Sequence, residues 1–364
     1  MRLKKIFFYN IAIFISFFLI LDVLVSIFFL DIKTLTCFNI QRDYYDLKKN
    51  CSGIEAWKSS FPAVKIDTNN LGLRYSGKAQ KNNSKEKIFF LGDSFTYGVG
   101  IEFNKTFFGI LENRHPEYKF YNFAVPSYST TLHLYLLKKE IEKENIPSKI
   151  ILMLDLTDIW DEGSRWKDNG DERPTIISKK YEEKHSERKE VNKTFSQKYF
   201  QISKMFISNL NYRTRNFRHR LKKKYLKDYD YVKTSFQANF TYTKVENLNK
   251  KYWEPNVFEK GISEIRNDIE LISNISRNNN IEFFLAVYPF AETLVNGQKE
   301  FNWEKFGESL CASNQCKFIN VFTEFKRRMV TNKYWLSDNF FVHDEHYNNG
   351  GHEVMANVID SKMF

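Results

Sequence analysis

The sequence predicts an α/β fold, a parallel sheet with helices on both faces. Short apolar runs alternate with longer segments of helical periodicity in the order βαβαβ…αβαβα. The run at 149–156 is apolar except at Lys149 and Asp155, as expected of a strand buried on both faces. The connections are long enough for crossover helices rather than hairpins.

The elements follow in order. Residues 87–91 read as a short buried strand ending at Gly92. A helix is expected at 107–114 and a second strand at 118–125, stopped by Pro126. Residues 130–145 have helical spacing and end near Pro147, and 149–156 form the third strand. After a gap, 262–279 is a helix, 281–288 the fourth strand, 303–310 a helix, 316–321 the fifth strand, and 351–363 a closing helix.

The N-terminus is different in kind. Arg2, Lys4 and Lys5 precede a stretch, 6–30, that is apolar except at Asn10, Ser16, Asp22 and Ser26. As a helix these residues would run about 37 Å, enough to cross a hydrocarbon core of about 30 Å. No small-residue cleavage pattern follows, so the stretch reads as an uncleaved signal anchor. The basic flank places the N-terminus (1–5) in the cytoplasm and the bulk outside. Asp22 is costly in lipid; it reads either as a carboxylate that snorkels or meets a water in a tilted single helix, or as a contact with a partner membrane protein. Residues 31–86 read as an extracytoplasmic linker, and 87–364 as the α/β domain, interrupted by an insertion at 165–260.

Composition agrees with an exported, single-pass protein. The 364 residues are 42% hydrophobic with 35 Phe, enough for a substantial core. A mean hydropathy of −0.50 excludes a polytopic membrane protein. Four cysteines are too few for a disulfide scaffold. Cys37 with Cys51, and Cys311 with Cys316, could form two local disulfides in an oxidising compartment or remain four ordinary thiols, and neither spacing suits zinc.

The net charge of +11 belongs to the insertion. It holds 24 basic and 12 acidic residues, which leaves the remainder at −1. Arg213, Arg215, Arg218, Arg220, Lys222, Lys223, Lys224 and Lys227 cluster there, among Phe195, Tyr199, Phe200, Phe206, Tyr212, Phe217 and Tyr225. No recognised nucleic-acid motif accompanies them, and nucleic acid is not expected as a partner. The two readings left are a basic amphipathic helix on an anionic membrane or glycan, and a solvated basic face.

Chemistry is expected at the carboxyl ends of the strands. Gly92-Asp93-Ser94 follows the first strand, so Ser94 falls in the strand-to-helix turn at the ligand-binding edge of the sheet. A serine nucleophile needs a base, and the base needs an orienting acceptor. Asp344 and His346 supply both from one loop just before the last helix. His343 and His352 compete for the base role. The other histidines, His115, His133, His185 and His219, have no such neighbours. Four residues, His343, Asp344, His346 and His352, also suggest a metal site, which lacks regular helical ligand spacing.

These residues resemble the SGNH, or GDSL-type, serine hydrolase superfamily. Gly92-Asp93-Ser94 with Gly98 is similar to its first block. Asp344-x-His346, followed by Asn349 and His352, is similar to its last. The resemblance implies a three-layer α/β/α domain of flavodoxin-like topology. It makes Ser94 the nucleophile, His346 the base and Asp344 its orienting partner, with Gly92, Asp93 and Asp158 in support. The oxyanion donors would be Ser94, Ser127 and Thr157, the last two standing where the family carries glycine and asparagine. Asn69-Asn70-Leu71-Gly72-Leu73-Arg74 resembles a segment upstream in anchored bacterial members.

The expected function is a membrane-anchored serine esterase acting on acyl, in particular acetyl, esters of an envelope glycan or lipid. It needs no cofactor and no metal. An O-acyltransferase using the same serine and an inactive envelope binding or assembly protein are the alternatives.

Overall fold

The computed structural model describes residues 2–28, 32–33, 36–57, 61–77, 86–177, 199–222, 256–298, 300–341 and 344–364. The helices, in chain order, are α1 (Arg2–Phe28), α2 (Ser94–Tyr97), α3 (Phe107–Arg114), α4 (Thr130–Glu142), α5 (Leu156–Trp160), α6 (Gln201–Lys222) and α7 (Val257–Asn278). They continue with α8 (Ala291–Asn296), α9 (Trp303–Asn314), α10 (Phe322–Thr331), α11 (Trp335–Asn339) and α12 (Asn349–Met363).

The central sheet has five strands: β1 (Lys87–Leu91), β2 (Lys119–Asn122), β3 (Lys149–Leu154), β4 (Glu282–Val287) and β5 (Lys317–Asn320). Their spatial order is β2-β1-β3-β4-β5, and every pair is parallel. This is the flavodoxin-like order expected from the sequence. Register places Phe90 beside Ile151 and Leu152 beside Leu285. All four side chains are buried, and Ile150 through Leu154 have essentially no exposure. A continuous apolar run is therefore what a strand covered on both faces requires. Helices α3 and α12 pack together, as do α4, α7 and α9, and these groups flank the sheet.

Parallel pairing brings every strand's carboxyl end to one edge. The chain reverses its direction of winding between β1 and β3, the switch point where such sheets bind ligands. Ser94 follows β1 directly and Asp155 follows β3.

The segment expected to be a linker is instead folded. Within it, 38–40 pairs antiparallel with 45–47, and 52–55 pairs antiparallel with 64–67. Phe38, Tyr45, Phe61 and Ile66 join Tyr97, Val125, Tyr128 and Phe341 in a second buried cluster. Its alternating aromatics bury themselves against the loops after β1 and β2, a tertiary contact that local periodicity does not report. Disulfides join Cys37 to Cys51 and Cys311 to Cys316, the first of the two readings that the sequence leaves open.

The insertion opens with an antiparallel hairpin, Trp166–Asn169 with Glu172–Ile176, and also contributes α6. Phe195, Lys223, Lys224, Tyr225 and Lys227 lie outside the described residues.

Among the described residues one helix, α1, is long and apolar enough over Lys5–Phe28 to cross a membrane. Asp22 has its partners inside the chain. Its carboxylate accepts the amide N–H groups of Ile202 (2.9 Å) and Ser203 (2.8 Å), and the Ser26 hydroxyl (3.0 Å). Ser26 Oγ accepts the Gln201 amide at 2.8 Å. The amides at the start of α6, which have no acceptor within their own helix, are thus capped by α1.

Candidate active site

Ser94 opens α2, a single turn capped by Asp93, whose Oδ1 accepts the Phe95 N–H at 3.0 Å. The turn is closed by Gly98 in the left-handed region (φ 80°). A Cβ there would lie 2.4 Å from Thr106 Cγ2, so glycine is required on both counts. Arg74 holds this turn from outside the sheet domain. Its Nη1 donates to the carbonyls of Tyr97 (2.5 Å) and Gly98 (2.7 Å), and its Nη2 to Ile101 (2.5 Å). Burial lowers the affinity of Arg74 for its proton, and burial pushes the neighbouring Glu55 carboxyl up to about 8.

The C-terminal loop brings the other two residues. Phe341 N–H donates to the His346 carbonyl and Asp344 N–H to the Phe341 carbonyl, closing a tight turn. Asn348 ties it down. Its Nδ2 donates to the carbonyls of Ser337 and Phe340, while its Oδ1 caps α12 at Gly350. The motif resemblance points to Asn349, which is exposed. The tie belongs to its neighbour, because a helix cap must lie outside the first helical residue.

The three residues expected to act together meet. His346 Nε2 lies 2.8 Å from Ser94 Oγ, and His346 Nδ1 lies 2.5 Å from Asp344 Oδ1. Asp344 Oδ1 also accepts the His346 backbone N–H at 3.1 Å. With Nδ1 carrying the proton toward Asp344, Nε2 is left as an acceptor for the Ser94 hydroxyl. Phe95 stacks on the imidazole at 4.7 Å and Phe61 meets it edge-on at 5.9 Å, fixing the ring plane. Asp344 and His346 are buried while Ser94 is partly exposed. Ser94 Oγ also lies 3.0 Å from Asp93 Oδ2, and its single proton serves one acceptor at a time.

The competing histidines are placed elsewhere. His352 Nδ1 accepts the Phe107 N–H at 3.2 Å, and burial pushes it down to about 3, so it stays neutral. His133 is likewise buried and pushed down to about 3. His343 lies outside the described residues. Ligand-type atoms of Asp344, Glu345 and His346 gather within 4.8 Å, but those of Asp344 and His346 bond each other.

The oxyanion donors divide. Ser127 has φ 63°, the left-handed conformation that explains why glycine suits this position. Its carbonyl accepts the Trp166 indole N–H at 2.9 Å, and the preceding Pro126 carbonyl accepts the Tyr45 hydroxyl at 2.9 Å. Neither the Ser94 nor the Ser127 amide has an acceptor among the described residues, so both are open to a ligand.

Thr157 does not fill the role expected of it. Its hydroxyl lies 2.5 Å from Asp155 Oδ1, which also accepts the Thr157 N–H at 2.6 Å. A hydroxyl on Cβ is short and turns back to the nearest cap carboxylate, where a longer amide would reach out. Asp158 serves the same turn, its Oδ2 accepting the Asp155 N–H at 2.7 Å.

Asp155 continues beneath the nucleophile. The Tyr288 hydroxyl lies 3.0 Å from Asp155 Oδ2 and 3.2 Å from Asp93 Oδ1. Burial, with Asp93 nearby, pushes Asp155 up to about 8, so it is protonated at neutral pH. That proton is what lets two carboxyl groups share one phenol.

Tyr45, Trp166, Tyr288 and Asn348 were not legible as site residues. Each acts through a contact more than ten residues distant or through a loop turn, and none carries a motif.

No family model matches the chain, and no curated protein matches it. Among solved structures it is similar to an acetyl xylan esterase, AlAXEase, at 10% identity, covering 76% of this chain and 100% of that one, with a TM-score of 0.42. It is similar to a lipolytic G-D-S-L family protein from Veillonella parvula at 13% identity, covering 77% and 98%, with a TM-score of 0.39. A catalytic mutant of an acetylxylan esterase from Geobacillus stearothermophilus matches at 10% identity, covering 78% and 97%, with a TM-score of 0.38.

Proposed function

We propose that this chain is a membrane-anchored serine esterase, acting on acyl esters of a cell-envelope glycan or lipid. The observation that carries this is the continuous relay Ser94 Oγ–His346 Nε2 and His346 Nδ1–Asp344 Oδ1 at 2.8 and 2.5 Å. Such a relay has a direct chemical use. His346 Nε2 takes the Ser94 proton as Oγ attacks the ester carbonyl. The oxygen that becomes negative is met by the open amides of Ser94 and Ser127. His346 then returns the proton to the departing alkoxide, leaving acyl-Ser94 and a free alcohol. Water, deprotonated by the same Nε2, releases the acid and restores the serine. Asp344 stabilises the imidazolium at each transfer and fixes its tautomer.

The anchor reading is supported by the length and apolarity of α1 and by the basic residues before it. It places residues 1–5 in the cytoplasm and the α/β domain outside, where the two disulfides are at home. The envelope substrate follows from that location and from the basic insertion.

The test is fluorophosphonate labelling of the full chain in detergent. Wild type is expected to label and Ser94→Ala to remain unlabelled. Equal labelling, or equal hydrolysis of 4-nitrophenyl acetate, in Ser94→Ala would overturn the assignment.

A further inference from the structure

We infer that α6 lies in the outer face of the same bilayer that α1 crosses, and that it holds the Ser94 site against an anionic lipid surface. This rests on the anchor reading of α1 and deepens it by naming where the esterase works.

The sequence of α6 has three faces. At about 100° per residue, Ser208 and Tyr212 fall together, and both are turned inward. Ser208 Oγ donates to the Phe61 carbonyl at 2.7 Å, and the Tyr212 ring meets Phe341 at 5.6 Å. On the side directly opposite, Phe206, Ile207, Leu210, Phe217 and Leu221 fall within an arc of about 100°. All five are between 47% and 66% exposed. Arg213 borders this stripe on one side and Arg218 on the other, and both are exposed. A long apolar stripe bordered by arginines, on the face turned away from the protein, is the pattern of a helix lying in a membrane interface.

The start of α6 fixes the level at which it lies. Its first amides are held by Asp22 and Ser26 of α1. Asp22 stands six residues before the end of α1, about 9 Å along the axis. Counted from Lys5 at the inner edge, Asp22 lies about 26 Å across a core of about 30 Å, a few ångströms inside its outer edge. The helix that begins there therefore begins in the outer interfacial layer. Capping by α6 also gives Asp22 the hydrogen bonds that a carboxylate at this depth needs. Arginines beside the stripe complement anionic headgroups.

The inward face leads to the chemistry. Phe61 and Phe341 are in ring contact at 4.4 Å, and Phe61 meets His346. One layer of side chains separates α6 from the catalytic base. An ester borne on a lipid or lipid-linked molecule is thus the class of substrate that the site is placed to meet.

The test uses the full chain in vesicles of phosphatidylglycerol and phosphatidylcholine. All four native cysteines are in disulfides, so Leu210→Cys, Phe217→Cys and Glu353→Cys each add one free thiol for a nitrobenzoxadiazole label. Glu353, exposed on α12, is the control. Doxyl lipids are expected to remove about half of the emission or more at 210 and 217, the depth of an interfacial helix, and to leave 353 unchanged. Ser94-dependent fluorophosphonate labelling shows that each variant is folded. Unquenched labels at 210 and 217 in a chain that resists carbonate extraction would overturn this inference alone. Extraction by carbonate would overturn the anchor reading and this inference with it.

Discussion

Asp268 and Glu162 form a buried pair whose charge state sets how stability depends on pH. Thr130 Oγ1 lies 2.9 Å from Glu162 Oε1 and 2.8 Å from Asp268 Oδ2, and Thr131 Oγ1 lies 2.7 Å from Glu162 Oε2 and 3.1 Å from Asp268 Oδ2. Each hydroxyl has one proton for two carboxyl contacts, so a carboxylic acid must supply the other. Burial, and then the neighbouring Glu162, push Asp268 from 3.8 up to about 8. The folded protein keeps this proton where the unfolded chain has lost it. Its contribution is fully present below about pH 4 and is lost as pH rises toward 8. Each pH unit is worth about 1.4 kcal/mol while the folded state keeps the proton, and the group is half ionised by pH 8, so wild type should lose about 2 kcal/mol from it between pH 6 and 8. Asp268→Asn keeps the shape and cannot ionise. Urea unfolding in detergent at pH 5, 6, 7 and 8, followed by tryptophan fluorescence, should show a flatter profile for the variant. Parallel profiles would refute the shared proton. The pair stands at the start of α4, three residues after Ser127, so it also steadies an oxyanion amide.

The site makes further predictions. Asp344→Asn should keep the fold and Ser94 in place but lower kcat by about 10⁴, because the imidazole loses its tautomer; steady-state hydrolysis of 4-nitrophenyl acetate measures this. Thr157→Val should reduce kcat less than tenfold, since the hydroxyl is spent on Asp155. A loss of about 10²–10³ would instead restore Thr157 as an oxyanion donor. Replacing Cys37 and Cys51 together by serine should cost about 3 kcal/mol, read in the same urea titration under oxidising conditions.

The sheet was legible because its strands are apolar runs at regular spacing, and 87–91 and 107–114 coincide with observed elements. Strand ends were read too long at 118–125, since Phe123 to Val125 are apolar for a different reason, packing in the loop beyond β2. The helix expected at 262–279 begins at Val257, where Gly163 and Gly261 allow close backbone approach to the segment after β3. Ser94, Asp344 and His346 were legible because each sits in a motif. Thr157 was misassigned because a motif position says which residue is present and not where its hydroxyl turns. The fold of 36–77 escaped notice because its strands are only three or four residues long and it is stabilised across the chain, not along it.

Arg74 carries a consequence for any attempt to simplify the protein. The residue precedes the first sheet strand, yet it fastens three carbonyls of the turn that presents the nucleophile. A version trimmed to begin at β1 would retain all five strands and the whole relay in its sequence. It would also remove the guanidinium from those carbonyls, and a turn that had lost its fastening would present Ser94 in many orientations instead of one. The smallest unit capable of chemistry is therefore longer than the smallest unit capable of forming the sheet, and it begins upstream of Arg74.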